Sequence, residues 1–255
     1  MTATPAGMTY ADYLKLDSLL DAQQPLSDLH DEMLFIVIHQ TKELWLKQML
    51  HELGLAIRLV GQDRYAEAYK ALSRVSRIQS VMTLSWEVLS TLTPVDYLAF
   101  RDVLGTSSGF QSAQFRELEY RLGIKDERYL KHYAADSDEH ARLRAALEEA
   151  SLREAAHAAL ERSGFDLGDR SDEALARAWL EVYRDSERWF DLYQLAEKLM
   201  DIDDALAGWR HKHVLTVERI IGNRPGTGGS AGAPYLRSTL EKRAFPELWA
   251  LRTEL

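Results

Sequence analysis

Apolar residues recur at helical spacing along almost the whole chain, and runs that alternate apolar and polar residues, as strands do, are scarce. The pattern therefore predicts an all-α fold. Helices are expected at residues 10–22, 31–60, 64–92, 112–122, 187–200 and 203–222, with a helical tail at 233–255 bent at Pro246. Long amphipathic helices of this kind predict a bundle whose apolar faces meet in a core.

Local signals indicate where some helices begin and end. Thr93, Pro94 and Asp96 form a helix start, because threonine suits the N-cap and proline suits the first helical position. This short helix is expected to end near Leu104, since the sequence GTSSG follows it. Gly61 is expected to cap the end of the 31–60 helix.

The segment 124–185 differs in composition from the rest, being rich in Ala, Glu, Arg and Asp. We predict that it forms a charged, mostly solvent-facing helical hairpin, inserted in a single domain that spans residues 1–255. Glu154 and His157 make one ExxH motif there. A di-iron site needs two such motifs and two further carboxylates, so the motif does not indicate a metal centre.

Composition excludes several classes of protein. With 255 residues, the chain is long enough for one large domain or two small ones. The net charge of −9 and the lack of a basic run disfavour nucleic-acid binding. The absence of cysteine excludes disulfides, iron–sulfur clusters, covalent haem attachment and a thiolate haem ligand. Any haem must be noncovalent, with a His, Met or Tyr ligand.

The N-terminal sequence MTATPAGMTYADYLKLD lacks a basic region followed by an apolar core, so it does not predict a signal peptide. No apolar stretch reaches about 18 residues, the length expected of a membrane-spanning helix. We therefore expect a soluble, cytoplasmic protein with no membrane partner.

His39 lies in the strongly apolar run MLFIVIHQ, four residues after Phe35. Residues at this spacing share one face of a helix. The pair could form the wall of a buried pocket, with one aromatic ring for packing and one imidazole for a directed hydrogen bond. The alternative is a core histidine that bonds to a neighbour.

His213 projects from the apolar stripe of its helix, at spacings of four and seven residues from apolar neighbours. His211 is only two positions away and points elsewhere, so the two do not form a two-histidine metal face. A single imidazole aimed into an apolar space suits a haem iron. A hydrogen-bonded core histidine again remains open.

Tyr97 and Arg101 are four residues apart on the short helix that begins at Pro94. An arginine beside an aromatic residue and an apolar pocket suits a carboxylate, because the guanidinium binds it through two hydrogen bonds. The alternative is a surface ion pair with Asp96 or Asp102.

The sequence NRPGTGGSAG is too rich in glycine for a simple helix cap. It follows a helix rather than a strand and lacks the lysine of a P-loop. It could be a flexible linker, or a loop that closes over a ligand and uses Thr227 and backbone N–H groups. Together, two histidines, one arginine and a closing loop form a coherent pocket for an amino acid and haem.

Several long segments resemble haem-dependent tryptophan 2,3-dioxygenase of the bacterial type, in that family's order and over nearly the whole chain. They are TYADYLKLDSLL, HDEMLFIVIHQTKELWLK, SRIQSVMTLSWEVLSTLTPVDYLAFRDVLGTSSGFQSAQFRELEYRLG, WRHKHVLTVERIIGNRPGTGGSAG and FPELWALRTEL. Only about 124–185 carries no motif of the family. The resemblance implies an all-α bundle of long helices that encloses a haem pocket.

The resemblance also implies the substrate side of the site. His39 matches the distal histidine that contacts the indole N–H, and Phe35 matches the aromatic residue that packs on the indole. Arg101 matches the group that pairs with the substrate carboxylate, with Tyr97 lining the same pocket. Thr227 matches a loop residue that contacts the amino-acid end.

On the cofactor side, the resemblance implies noncovalent haem b, ferrous when active. His213 matches the proximal ligand of the iron, and Ser108 matches a serine beside the haem. Tyr10, Tyr13 and Leu14 match an N-terminal segment that enters the neighbouring subunit's active site. A homotetramer is therefore implied.

The implied reaction opens the indole ring of L-tryptophan with O2 to give N-formylkynurenine, the first step of tryptophan degradation by the kynurenine route. Three alternatives remain open at this point. They are a haem-binding sensor or carrier without catalysis, a helical scaffold without cofactor, and a dioxygenase for another indole amine.

Overall fold

The computed structural model describes residues 7–255, which contain helices and no strand, so the all-α prediction is confirmed. The α-helices are α1 (Tyr10–Leu14), α2 (Leu16–Leu20), α3 (His30–Val60), α4 (Tyr65–Leu89), α5 (Pro94–Phe100), α6 (Ala113–Leu122), α7 (Asp138–Glu148), α8 (Leu152–Arg162), α9 (Asp172–Arg184), α10 (Phe190–Ile221), α11 (Ala233–Ser238) and α12 (Pro246–Ala250). Short 3-10 helices occupy Arg101–Leu104, Gly109–Gln111, Glu127–His132 and Leu251–Thr253.

Three long helices, α3, α4 and α10, pack against one another and supply most of the core. Their inward faces are apolar at the predicted spacing, with Leu53, Leu72 and Leu195 fully buried. In α3, Asp31 and Glu32 lie in the first turn as expected. Gly61 is the C-cap, but its φ of −61° is right-handed, so its place does not depend on glycine's conformational freedom.

The predicted helix 10–22 is wrong in one respect, because it is broken into α1 and α2 at Lys15. Lys15 has a left-handed φ of 55°, and its N–H donates to the carbonyl of Ala11. No residue of either short helix is buried in the chain. No packing within the chain therefore holds the two turns in line.

The two helices predicted at 187–200 and 203–222 form the single helix α10. No proline or glycine lies between Met200 and Asp203, and Ile202 and Asp203 are both buried. The helix continues because its inward face is packed at the point where a break was expected. As a result, His213 lies on a rigid element of 32 residues.

The segment 124–185 is not the predicted solvent-facing hairpin. It forms a 3-10 turn and the three helices α7, α8 and α9, whose inner faces are buried. Trp179 on α9 is completely buried, and many small alanines let these helices approach the core. His157 bonds to the carboxylate of Glu247 at 2.8 Å, and residues 7–255 contain no cluster suited to a metal ion.

The short helix α5 begins as predicted. The Thr93 side chain accepts from the N–H of Asp96, and Asp96 bonds back to the N-cap, forming a capping box. The α-helix ends at Phe100 and continues as a 3-10 helix to Leu104. Arg101 therefore stands at the junction of the two helical forms, near the end of a rigid element.

The tail 233–255 forms α11, α12 and a final 3-10 turn, with Pro246 beginning α12 rather than bending a helix. The buried carboxylate of Asp203 on α10 anchors this tail. It accepts hydrogen bonds from the N–H groups of Ala244 (3.0 Å) and Phe245 (3.1 Å) and from the indole of Trp249 (2.9 Å).

Across residues 7–255, no helix combines the length and the apolar character that crossing a bilayer requires.

Replacing Asp203 with alanine should lower the free energy of unfolding by about 3 kcal/mol, because three buried donors lose a charged acceptor. Urea denaturation of both proteins would measure the change. Asp204→Ala, which alters the neighbouring exposed carboxylate, is the matched control and should be close to neutral. Equal losses in the two variants would contradict the anchoring role.

Candidate active site

A cavity of about 740 Å³ lies between α3, α4, α6 and α10. Its walls are largely apolar, and its volume is within the range of about 300–1,000 Å³ typical of small-molecule and cofactor sites. Of the residues singled out in the sequence, six line this one cavity: Phe35, His39, Tyr97, Ser108, His213 and Thr227.

Phe35 and His39 lie together on the cavity face of α3, as their spacing predicted. Their ring centroids are 4.1 Å apart. Tyr97 and Phe100 of α5 close the other side of Phe35, at 5.9 and 5.7 Å between centroids. The three aromatic rings and the imidazole therefore form a slot suited to a flat ring.

The hydrogen bonding of His39 determines its tautomer. Its Nδ1 is 2.7 Å from the carbonyl oxygen of Phe35, and because a carbonyl only accepts, Nδ1 carries the proton. Burial lowers the pKa of His39 to about 4, so the ring is neutral at neutral pH. Nε2 is then left as a hydrogen-bond acceptor.

His213 borders the cavity from α10. Trp86 of α4 stacks on its ring at 4.3 Å between centroids with an interplanar angle of 10°, and Trp209 lies 5.2 Å away. Burial lowers the pKa of His213 to about 3, so this imidazole is also neutral. A neutral imidazole enclosed by apolar rings can donate a lone pair to a metal ion.

Lys42, one helical turn after His39, also turns into the cavity. Its side chain is buried, and Nζ lies 2.9 Å from the centroid of the Trp86 ring. Nζ has no hydrogen-bond partner, and burial lowers its pKa to about 6. The sequence pattern predicted no role for Lys42, although its spacing of three from His39 indicated a shared helix face.

Arg101 lies at the rim and does not line the cavity itself. Its guanidinium donates to the carbonyl oxygen of Pro225, at the start of the glycine-rich loop. The alternative of a surface ion pair with Asp96 or Asp102 is not observed. Arg101 is therefore tied to the loop, close to the aromatic slot that Tyr97 helps to form.

The glycine-rich loop packs against the segment after α5. Thr227 donates its hydroxyl hydrogen to the carbonyl of Ser107. A Cβ added at Gly228 would lie 2.6 Å from the Cβ of Ser108, and one at Gly232, where φ is +69°, would lie 2.3 Å from the carbonyl oxygen of Arg224. The loop can adopt this closed path because glycine occupies these positions.

At the far end, charged side chains from α6, α7 and α10 border the cavity. Glu119 binds the guanidinium groups of both Arg116 and Arg210, and all three are buried. Arg116 also stacks on Tyr129, with its guanidinium carbon 3.4 Å from the ring centroid. Arg142, from the segment without a recognised motif, lies here as well.

Unpartnered polar atoms are concentrated around this cavity. In residues 7–255, eight buried side-chain N or O atoms lack a hydrogen-bond partner. Five of them belong to cavity-lining residues that the sequence analysis missed: Lys42, Trp86, Arg116, Trp209 and Thr216. Buried polar groups are normally satisfied, so this clustering indicates a ligand with polar edges. Spacing alone could have indicated Trp209, which is four residues before His213.

Tyr10, Tyr13 and Leu14 do not reach the cavity of their own chain. They lie on α1 with 75%, 74% and 39% of their surfaces exposed. Apolar surface of this kind on a short, otherwise unpacked helix is typical of a protein–protein contact.

Known proteins similar to this chain are tryptophan 2,3-dioxygenases. The tryptophan 2,3-dioxygenase family matches the chain over residues 1–167 and 168–255. The chain is 61% identical to the tryptophan 2,3-dioxygenase of Caulobacter vibrioides, over 97% of this chain and 98% of that protein. It is 54% identical to that of Bacillus cereus and 51% identical to that of Bordetella parapertussis, over 97% of this chain and 93% and 91% of those proteins.

Replacing Lys42 with methionine should stabilise the ligand-free protein by about 1–3 kcal/mol at pH 7, since it removes an unpartnered buried amine. The folded-state pKa of about 6 lies below the ordinary 10.5, so wild-type Lys42 costs progressively more stability as pH falls from about 10 to 6. Urea denaturation midpoints across this pH range would measure the difference in stability between wild type and Lys42→Met. The control is Lys47→Met, which removes an exposed lysine. A stability difference that does not change with pH would contradict the burial of Lys42.

Proposed function

The chain belongs to the tryptophan 2,3-dioxygenase family, and we propose that it opens the indole ring of L-tryptophan to N-formylkynurenine with haem b as its cofactor. It is an enzyme that oxidises tryptophan with O2. The product makes this the first step of tryptophan degradation by the kynurenine route. The observation that carries the haem proposal is that neutral imidazoles from α3 and α10 border one cavity with unpartnered polar edges.

The residues present fit a haem in donor chemistry and in volume. His213 has a free lone pair and would hold the iron. The unpartnered Nε of Arg116 and indole N–H of Trp209 are donors that would hold the haem carboxylates. Ser108 lines the same cavity. When bound, the ferrous haem supplies the redox chemistry that activates O2.

Arg101 binds the carboxylate of the substrate. In the chain described here its guanidinium donates to the uncharged carbonyl of Pro225. A carboxylate offers two charged oxygens, so it makes stronger, bidentate hydrogen bonds than this carbonyl does. When the substrate binds, its carboxylate therefore replaces the Pro225 carbonyl as the acceptor, and the Arg101 guanidinium is hydrogen-bonded both before and after binding.

His39 orients the indole ring by accepting a hydrogen bond. Its Nε2 is the free acceptor, since Nδ1 donates to the Phe35 carbonyl. The indole lies in the slot formed by Phe35 and Tyr97, with its N–H directed at Nε2. Because an indole N–H is a very weak acid and the pKa of His39 is lowered to about 4, His39 acts by hydrogen bonding rather than as an obligatory base.

The glycine-rich loop excludes water from the slot. Thr227 and the loop backbone lie over the amino-acid end of the substrate, where Thr227 already bonds to Ser107. Closure of this kind strengthens the polar contacts inside by removing solvent.

The enzyme is a homotetramer in which α1 completes the site of a neighbouring subunit. The exposed side chains of Tyr10, Tyr13 and Leu14 support this arrangement. The apolar residues Val81, Leu84 and Val88 on the outer face of α4 are also exposed, as expected of a surface that packs against another subunit.

The visible spectrum of purified, reduced protein and its oxygen uptake on addition of L-tryptophan test the function. Haem absorption together with tryptophan-dependent uptake is expected. Haem absorption without uptake would instead favour a sensor or carrier, and colourless protein that takes up no haem would refute the cofactor assignment.

His213→Ala should give folded protein that no longer retains haem, because the iron loses its only proposed protein ligand. Haem absorption after reconstitution and gel filtration measures this. His211→Ala is the matched control, since the Nδ1 of His211 bonds to the Ala207 carbonyl at 3.0 Å. Normal haem content in His213→Ala would show that another residue binds the iron.

Arg101→Leu should raise KM for L-tryptophan by about 10- to 100-fold, since a charge-assisted contact contributes roughly 1.5–3 kcal/mol. Steady-state kinetics should show a smaller effect on an indole analogue without a carboxylate. Arg219→Leu, which removes an exposed arginine bonded to the Ser90 carbonyl, should leave KM unchanged. Equal losses for both substrates would exclude a carboxylate role.

Tyr13→Ala and His213→Ala should each be inactive or nearly so, yet recover part of the activity when the two chains are co-expressed. A mixed tetramer would combine the intact cavity of one chain with the intact α1 of the other. Oxygen uptake by the purified mixture measures recovery. Activity no greater than that of the separate variants would show that each chain builds its own site.

A further inference from the structure

Lys42 contacts Trp86, and Trp86 in turn contacts His213, at the cavity wall. The Lys42 amine lies over the Trp86 ring, at 2.9 Å from its centroid, and that ring lies parallel to the His213 imidazole at 4.3 Å. By these two distances Nζ is no more than about 7 Å from the His213 ring centre. A lysine charge at this distance, away from water, acts strongly on the imidazole.

No carboxylate neutralises Lys42 among the residues described. Nζ has no hydrogen-bond or ion-pair partner, and the neighbouring Glu43 is bonded to the amide of Gln114 at 2.8 Å. Groups that face Lys42 are the neutral His39 on α3, the indole of Trp86 on α4 and the neutral His213 on α10. The proposed function assigns no role to this amine.

We propose that Lys42 sets the reduction potential of the haem iron, taking up a proton from solvent when the iron is reduced and releasing it when the iron is oxidised. This inference rests on the proposed haem at His213. The balanced step is the transfer of one electron to the ferric iron from a one-electron donor, which is the electrode in the test below, and of one proton from water to the Nζ lone pair of Lys42.

The direction follows from electrostatics. The iron–porphyrin core has one more positive charge in the ferric than in the ferrous form, so the ferric form repels a lysine cation. Reduction removes that charge and favours protonated Lys42, and protonated Lys42 in turn favours the ferrous iron. In the haem-free chain, burial already lowers the pKa of the amine to about 6, so Lys42 can exist in both its neutral and its charged form.

Lys42 is therefore a residue that tunes the active, ferrous state rather than one that touches the substrate. A buried lysine without a partner costs stability in the haem-free chain. In the holoenzyme the same feature makes the amine sensitive to the charge on the iron.

Spectroelectrochemical titration of the haem-loaded enzyme between pH 5 and pH 9 tests the proposal. The wild-type midpoint potential should fall as pH rises. The steepest slope expected is a tenfold change in the ferric-to-ferrous ratio per pH unit, which is 59 mV for one electron. Lys42→Met should give a pH-independent potential at the lower limit. Lys42→Arg, always charged, should give a pH-independent potential at the upper limit.

Lys47→Met is the matched control, because it removes an exposed lysine from the same helix and should keep the wild-type pH dependence. The same slope in wild type and Lys42→Met would assign the proton to another group and overturn the proposal. A flat wild-type curve would also overturn it. If wild type gave a low-spin ferric spectrum and Lys42→Met did not, Lys42 would be a ligand of the iron, which would also overturn the proposal.

The two proposals fail in distinguishable ways. Wild-type enzyme that binds haem and oxidises tryptophan but shows no Lys42-dependent potential would overturn the role of Lys42 alone. Wild-type protein that binds no haem would overturn the haem assignment and the role of Lys42 together.

Discussion

The packing of α3 against α4 and α10 along one apolar seam is the interaction on which the rest of the site depends. α3 and α10 are uninterrupted helices of 31 and 32 residues, so His39 and His213 keep fixed positions across the seam. The seam does not close completely, and a cavity of about 740 Å³ remains where these two histidines, Lys42 and Trp86 turn inward. A rigid helical wall holds reactive groups more accurately than a loop does, because each residue is fixed by both neighbours and packing.

Burial in this seam also determines the charge of the site. His39, Lys42 and His213 lie between packed helices, and burial lowers the pKa of each. Burial therefore favours the neutral form of all three groups, in which a nitrogen lone pair can accept a hydrogen bond or bind a metal ion. The unpartnered donors of Arg116 and Trp209 complement them, because they favour a ligand with negatively charged edges.

In the proposed binding mode, elements of different rigidity recognise the two ends of the substrate. The ring end would be bordered by Phe35, His39 and Tyr97 on helices, and the amino-acid end by Arg101, at a helix junction, and by the glycine-rich loop. Because Gly228 and Gly232 lack side chains, the loop backbone can lie close to Ser108 and Arg224. A fixed ring slot and a loop that can open allow a buried substrate to enter and leave.

Periodicity by itself determined the all-α class, the extent of α3 and the start of α5, since these follow from local spacing and capping residues. It also put Phe35 with His39, and His213 on an apolar stripe. Tertiary packing decided the rest. Packing around the buried Ile202 and Asp203 joined two predicted helices into α10. The predicted helix 10–22 is broken at Lys15, because no packing within the chain holds its two halves in line. The charged segment 124–185 packs its inner faces against the core. Tertiary packing also brought Lys42, Trp86, Arg116 and Trp209 to one cavity from four helices. Local spacing could relate Lys42 to His39 and Trp209 to His213, but the proximity of the four residues exists only after the helices have packed.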